Sequence, residues 1–127
     1  LARTPFFQKE RPTIALTIDY TEQRVPIEQI RYIDASGRRC CFHLTDGTTL
    51  APYMTIARAR ELLEHLPMFL SCHRSLLINM DYIHQLTPEG ILLMDGTLLP
   101  IATRRTSEVG QAYRAYMLRK MRAGFTP

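Results

Sequence analysis

CCFHLTDGTTLAP (Cys40 to Pro52) reads as two extended segments, Cys40 to Leu44 and Thr48 to Pro52, folded back about Thr45-Asp46-Gly47. An Asp-Gly pair between extended segments is a hairpin signal, because both residues tolerate the positive φ that tight turns demand. The same device recurs at Asp95-Gly96, between Ile91 to Met94 and Thr97 to Ile101. Two such hairpins, with no alternation of strand and helix, predict a mainly antiparallel β domain rather than a parallel α/β sheet.

Working outward from the first hairpin, Ile30 to Ala35 reads as a strand with Ile30 and Tyr32 on one side and Arg31 and Ile33 on the other. Ser36-Gly37 closes it, and Arg38 and Arg39 follow directly. Further upstream, Ile14, Leu16 and Ile18 alternate with small or polar residues, the period of a strand with one buried face, starting near Thr13. A polar turn is expected at Thr21 to Gln23. Arg24 to Ile27 is then a short strand at best, since Pro26 suits only an edge or a strand end. On the other side, Thr55 can cap a helix running to about His65 with Ile56, Ala59, Leu62, Leu63 and Leu66 on one face, and Pro67 stops it. Ile78 to Leu86 is expected as one strand, and Glu89-Gly90 turns it into a meander. A second helix is expected from Ser107 to about Arg122, with Val109, Ala112, Tyr113, Tyr116 and Leu118 opposite Arg114, Arg119 and Lys120; Gly110 interrupts its pattern. The organisation expected is a linker or chain edge at 1–12, a β-rich domain at 13–106, and a terminal helix and tail at 107–127.

At 127 residues and 46% hydrophobic, the chain has material for one domain with one modest core. No window approaches the roughly 18 uninterrupted apolar residues of a membrane span. Three cysteines, Cys40, Cys41 and Cys72, with two adjacent, argue against a disulfide framework, and neighbours on a strand diverge. A cytoplasmic location is expected from these features. Sixteen basic against twelve acidic residues give +4, and most of the basic residues are arginine, whose planar fork grips phosphates and guanine edges. The bias favours nucleic acid over other partners, though weakly on charge alone.

FLSCHRSLLIN (Phe69 to Asn79) carries a more specific signal: Phe69, then His73, Arg74, Ser75, two apolar residues and Asn79. With IRYIDASGR (Ile30 to Arg38) before it, then a hairpin and a helix ending in Leu-Pro, and Ile83 and DGTLLPIATRR (Asp95 to Arg105) after it, the order resembles the LytTR family of bacterial DNA-binding domains from about Ile27 to Arg105. Ala102-Thr103 stands before Arg104 where the family often has serine then arginine. The resemblance implies an elongated, β-sandwich-like fold that lays loops, not a recognition helix, into successive major grooves, usually as two copies on paired repeats. It implies the output half of a transcriptional response regulator in a two-component system. A receiver or sensor domain would lie on another segment or chain.

Three basic loops are the candidate DNA-contacting sites: Arg38 and Arg39; His73, Arg74 and Ser75; and Thr103, Arg104 and Arg105. Arg74, Arg104 and one of Arg38 or Arg39 are the expected base readers, while Ser75, Thr103 and Thr106 can contact phosphates. His73 can face DNA, orient Arg74 or pack behind it. Asn79 is expected to tie down a turn. Arg58 and Arg60 rank second, as exposed helix charges. No cofactor, catalytic residue or metal ligand is expected. Cys72 beside His73 suggests a cysteine nucleophile, but the two side chains diverge and no oxyanion signature is near. Cys40, His43, Cys72 and His73 supply the count for zinc without its spacing. The remaining alternative is a non-catalytic protein-binding or sensor module, which salt-insensitive binding would distinguish from a DNA reader.

Overall fold

In a computed structural model, residues 12–125 are described; the expected lead at 1–12 lies outside them except for Pro12, and so do the last two residues of the tail. The chain runs β1 (Thr13–Ile18), β2 (Thr21–Pro26), β3 (Ile30–Ser36), β4 (Arg39–Leu44), β5 (Thr49–Leu50), α1 (Ile56–Leu63), β6 (Phe69–His73), β7 (Leu76–Asn79), β8 (Ile83–Thr87), β9 (Gly90–Leu93), β10 (Leu98–Leu99) and α2 (Thr106–Phe125). All pairings are antiparallel. They form a five-stranded sheet ordered β5-β4-β3-β7-β6, a three-stranded sheet ordered β10-β9-β8, and the β1-β2 hairpin. The mainly β class with one internal and one terminal helix is therefore the observed one.

Strand β7 explains the layering. All four residues of Leu76-Leu77-Ile78-Asn79 are buried, so both faces of the sheet are covered there. Leu77 joins Ile14, Leu16, Ile33, Phe42 and Leu63 in a core under the β1-β2 hairpin and α1. Leu76 and Ile78 point the other way, into a second core with Ile91, Leu93, Val109 and Tyr116 from the small sheet and α2. The domain has two cores, one on each face of the five-stranded sheet, rather than the single core expected.

Both Asp-Gly hairpins form. Leu44 N donates to Thr48 O at 2.9 Å and Leu93 N to Thr97 O at 2.8 Å. Only the glycines take positive φ, +90° at Gly47 and +94° at Gly96. Each aspartate instead accepts from the amide two residues on, Thr48 N at 2.9 Å and Thr97 N at 3.0 Å. Thr55 caps α1 by accepting from Arg58 N at 3.1 Å. Ala59 and Leu63 are buried on its inner face.

Several sequence expectations are corrected. The first hairpin turns at Asp19-Tyr20, both at positive φ, not at Thr21 to Gln23, and β2 is a full six-residue strand with Pro26 at its end opposite Thr13. A bulge between Ile30 and Tyr32 resets the alternation of β3, so Ile30 and Ile33 share the first core while Tyr32 packs on the second. The predicted strand Ile78 to Leu86 breaks at a 3-10 turn, Met80–Tyr82, which moves the chain from one sheet to the other. Strand β5 is shorter than expected, at two residues. In α2 the inner stripe is Val109, Tyr113, Tyr116 and Met117; Leu118 is 54% exposed, and Lys120 reaches Asp81 at 2.8 Å beside Tyr116 rather than pointing away.

Gly90 and Gly96 separate two demands on glycine. At Gly96 (φ +94°) nothing lies within 4 Å of a Cβ, whereas at Gly90 (φ +148°) a Cβ would stand 2.3 Å from the Leu99 carbonyl oxygen. Gly96→Ala should therefore cost about 1–2 kcal/mol, the strain of a left-handed alanine. Gly90→Ala should cost about 3 kcal/mol, because backbone must move as well. Urea unfolding of both variants measures this, and equal losses would mean that β9 and β10 do not approach as described.

Candidate nucleic-acid interface

Sheet order brings the basic loops together. Strand β3 pairs with β7, Asp34 opposite Leu76, and Ala35 N donates to Ser75 O at 3.0 Å. The β3-β4 turn, with Gly37 at φ +65° and Arg38 exposed, thus lies beside the β6-β7 turn, Arg74-Ser75, at one end of the sheet. The third loop is fastened to β6, which leads into that turn: Ala102 N donates to Cys72 O at 3.1 Å, and Arg105 Nη1 donates to Ser71 O at 2.8 Å. A 3-10 turn, Thr103–Arg105, then leads into α2.

His73, Arg74, Ala102, Arg104, Arg105 and Glu108 line an open groove of about 610 Å³ between the second and third loops. Arg38 and Arg39 line a different recess, of about 380 Å³, with Tyr53, Met54 and Thr55. Four of the eight candidate residues therefore share one groove. Ser75 lies on the turn beside it, with its hydroxyl 3.0 Å from His73 Nδ1. Thr103 is exposed, and its carbonyl accepts from the Thr106 hydroxyl at 3.2 Å.

The arginines fall into two groups. Arg39 stacks on the Tyr53 ring, 4.2 Å from its centroid, and donates from Nη2 to the Ala51 carbonyl, leaving its buried Nε without a partner. Arg105 holds Ser71. Arg60, placed in the second rank as a helix charge, donates to Arg74 O at 2.7 Å and Ser71 Oγ at 3.3 Å, so it braces the β6-β7 turn from beneath. Sequence gave no sign of this contact, since the partners are 14 residues apart on different elements. Arg58 pairs with Glu61 at 2.9 Å on the surface, a contact of little energetic weight. Arg38, Arg74 and Arg104 are exposed and project from the three loops.

His73 Nδ1 accepts from Ser75 N at 3.2 Å. A neutral ring in that arrangement carries its proton on Nε2, so its remaining capacity is that of a donor. Asn79 is structural, as expected, but with a wider reach. It is fully buried, accepts from Asp81 N at 2.9 Å and donates to Ile30 O at 2.9 Å, joining the turn to β3.

Cys72 and His73 diverge. The Cys72 thiol donates to Pro100 O at 3.7 Å on the side of the second core, away from the His73–Ser75 bonds. Burial pushes the Cys40 thiol up to about 11 and the Cys72 thiol up to about 12, which keeps both protonated and weakly nucleophilic at neutral pH. Among the described residues no group of three or more His, Cys, Asp or Glu is placed to hold a metal ion, and no helix is long and apolar enough to cross a membrane.

Comparison with known proteins identifies the family. The family model of the LytTr DNA-binding domain matches residues 22–114, and the chain belongs to that family. Its fold is similar to a solved LytTr DNA-binding domain from Bacillus cereus, with a TM-score of 0.67 at 18% identity, covering 81% of this chain and 97% of that one. No curated protein matches the sequence. The chain is thus a DNA-binding domain of the LytTr type.

The raised thiols make stability fall in alkali. A thiol with a folded pKa above its unfolded value of 9.0 contributes stability that is fully present below pH 9 and is lost as pH rises toward 11 and 12. Tyr116, raised by burial and by the Asp81 carboxylate that accepts its hydroxyl at 2.6 Å, acts with the same sign at higher pH. Urea midpoints should not respond to these groups between pH 7 and 8.5 and should drop above pH 9. In iodoacetamide labelling at pH 8, partly exposed Cys41 should react in the native protein and Cys40 and Cys72 only after unfolding. Rapid native labelling of Cys72 would contradict its burial.

Proposed function

We propose that this domain binds double-stranded DNA sequence-specifically, laying its three arginine-bearing loops into the major groove as the output half of a cytoplasmic transcriptional regulator. The observation that carries this reading is the gathering of Arg38, Arg74 and Arg104, exposed and on separate loops, around one end of one sheet. Each can donate two hydrogen bonds to a guanine edge. His73 adds a single donor within the groove. Ser75, Thr103 and Thr106 offer hydroxyls to phosphates. Arg39 and Arg105, anchored by one part of the guanidinium, position their loops and can turn their remaining donors to the backbone. Two copies bind paired repeats as a homodimer on DNA, and an upstream receiver or sensor domain, on another segment or chain, supplies the signal.

Selection of genomic fragments at moderate salt, followed by footprinting, tests function and half-site spacing together. Affinity for the selected site should fall with salt at a slope near 0.9 per phosphate neutralised, whereas an apolar protein interface would scarcely respond. Arg74→Ala should weaken the specific complex by about 1–3 kcal/mol and relax preference at one base pair. Arg58→Ala should lower affinity slightly and equally for all sequences. Equal losses on specific and random duplex for Arg74→Ala would remove it as a base reader, and enrichment of no sequence would remove the function itself.

A further inference from the structure

The groove between the second and third loops contains one acid among its bases. Glu108 lies in the first turn of α2, exposed, and lines the groove together with Arg104 and Arg105. Among the described residues it makes no ion pair and no side-chain hydrogen bond; the ion pairs join Arg24 to Glu22, Arg31 to Asp95, His43 to Asp34, Arg58 to Glu61 and Lys120 to Asp81. The helix dipole favours an acid somewhere in that turn. It does not account for one facing a groove of cationic donors, where a phosphate would be repelled.

We infer that Glu108 is a specificity-determining residue that accepts a hydrogen bond from the exocyclic amine of a cytosine in the major groove. The inference rests on the DNA-binding function proposed above. Guanine offers O6 and N7 and thymine offers O4, all acceptors that repel a carboxylate. Adenine offers an amine but sets the N7 acceptor beside it, which suits the mixed donor and acceptor of an amide side chain. Cytosine N4 alone offers a donor with no neighbouring acceptor, and a carboxylate has only acceptors to give. Arg74 and Arg104 line the same groove as pure donors. Donors beside one acceptor complement a single G·C pair, with arginine on the guanine and Glu108 on its cytosine. The same charge opposes docking of this groove on the phosphate backbone, so it weakens non-specific binding.

The test uses the selected duplex, a set in which each base pair is replaced in turn, and a random duplex, with Glu108→Gln, Glu108→Asp and the unaltered chain. The unaltered chain should lose about tenfold or more in affinity when one particular G·C pair becomes A·T. Glu108→Gln should shrink that preference about fivefold or more, to what the arginine on the guanine supplies alone, keep its preference elsewhere, and bind random duplex a few-fold more tightly. Glu108→Asp, still an acceptor only, should keep a preference for G·C at that position. Thermal melts separate this from a helix-end effect, which would lower stability and leave the base profile intact. A profile that survives Glu108→Gln, with all sequences strengthened by one factor, overturns the assignment while leaving DNA recognition in place. An unaltered chain with no sequence preference at all overturns both.

Discussion

The structure depends on covering strand β7 from both sides. Leu77 on one face and Leu76 and Ile78 on the other each contribute about 1.5–3 kcal/mol on burial, and no single layer can cover both faces. The β1-β2 hairpin and α1 therefore take one face, and the three-stranded sheet and α2 take the other. Asn79 makes the crossing between sheets possible, because its amide satisfies Ile30 O and Asp81 N where the chain leaves β7. Removing such a buried pair of bonds typically costs about 1–3 kcal/mol for the group left unpaired. Tyr82 Oη donating to Glu28 O at 2.6 Å and Arg31 reaching both Leu44 O and Asp95 tie the second layer back to the first.

That layering fixes the interface. With β7 between β3 and β6, the turns β3-β4 and β6-β7 must emerge at the same end, and the segment after β10 passes β6 closely enough for Ala102 to bond Cys72. Arg60 and Arg105 then hold Ser71 and the Arg74 carbonyl, and Arg39 is held by Tyr53 and Ala51. Half of the basic side chains near the interface thus immobilise loops. Fixing those loops before binding reduces the conformational entropy lost on association, so in the proposed complex the few free arginines gain more from each contact.

Local chemistry was legible in the sequence, and contacts between distant segments were not. The Asp-Gly turns, the Thr55 cap and the Pro67 stop each depend on residues within four positions of one another, and all three formed. Asp19-Tyr20 was missed because tyrosine at φ 65° has no residue-level signal. The Ile30/Tyr32 bulge leaves the apolar spacing of β3 unchanged, and Met80–Tyr82 interrupts an apolar run that carries no turn residue. The same boundary divides the site. Three basic loops could be picked out along the chain, while their meeting at one sheet end required the β3-β7 pairing, across about forty residues. Arg60 as a brace and Glu108 as a groove wall follow from that pairing and from the entry of α2, so neither role is visible in the order of residues.

The balance of held and free charge bears on how the domain achieves selectivity. Non-specific affinity grows with each phosphate neutralised, and it grows for every sequence alike. A chain at +4 with Arg39, Arg60 and Arg105 bonded internally and a carboxylate in its main groove gives up part of that general affinity. In the proposed complex, what remains is concentrated in contacts that depend on base identity. In the proposed paired mode each domain takes one short half-site, and linking two on adjacent half-sites multiplies affinity through effective concentration without adding any new contact. The paired binding proposed above is an economical way for a small, lightly charged β domain to be both selective and tight.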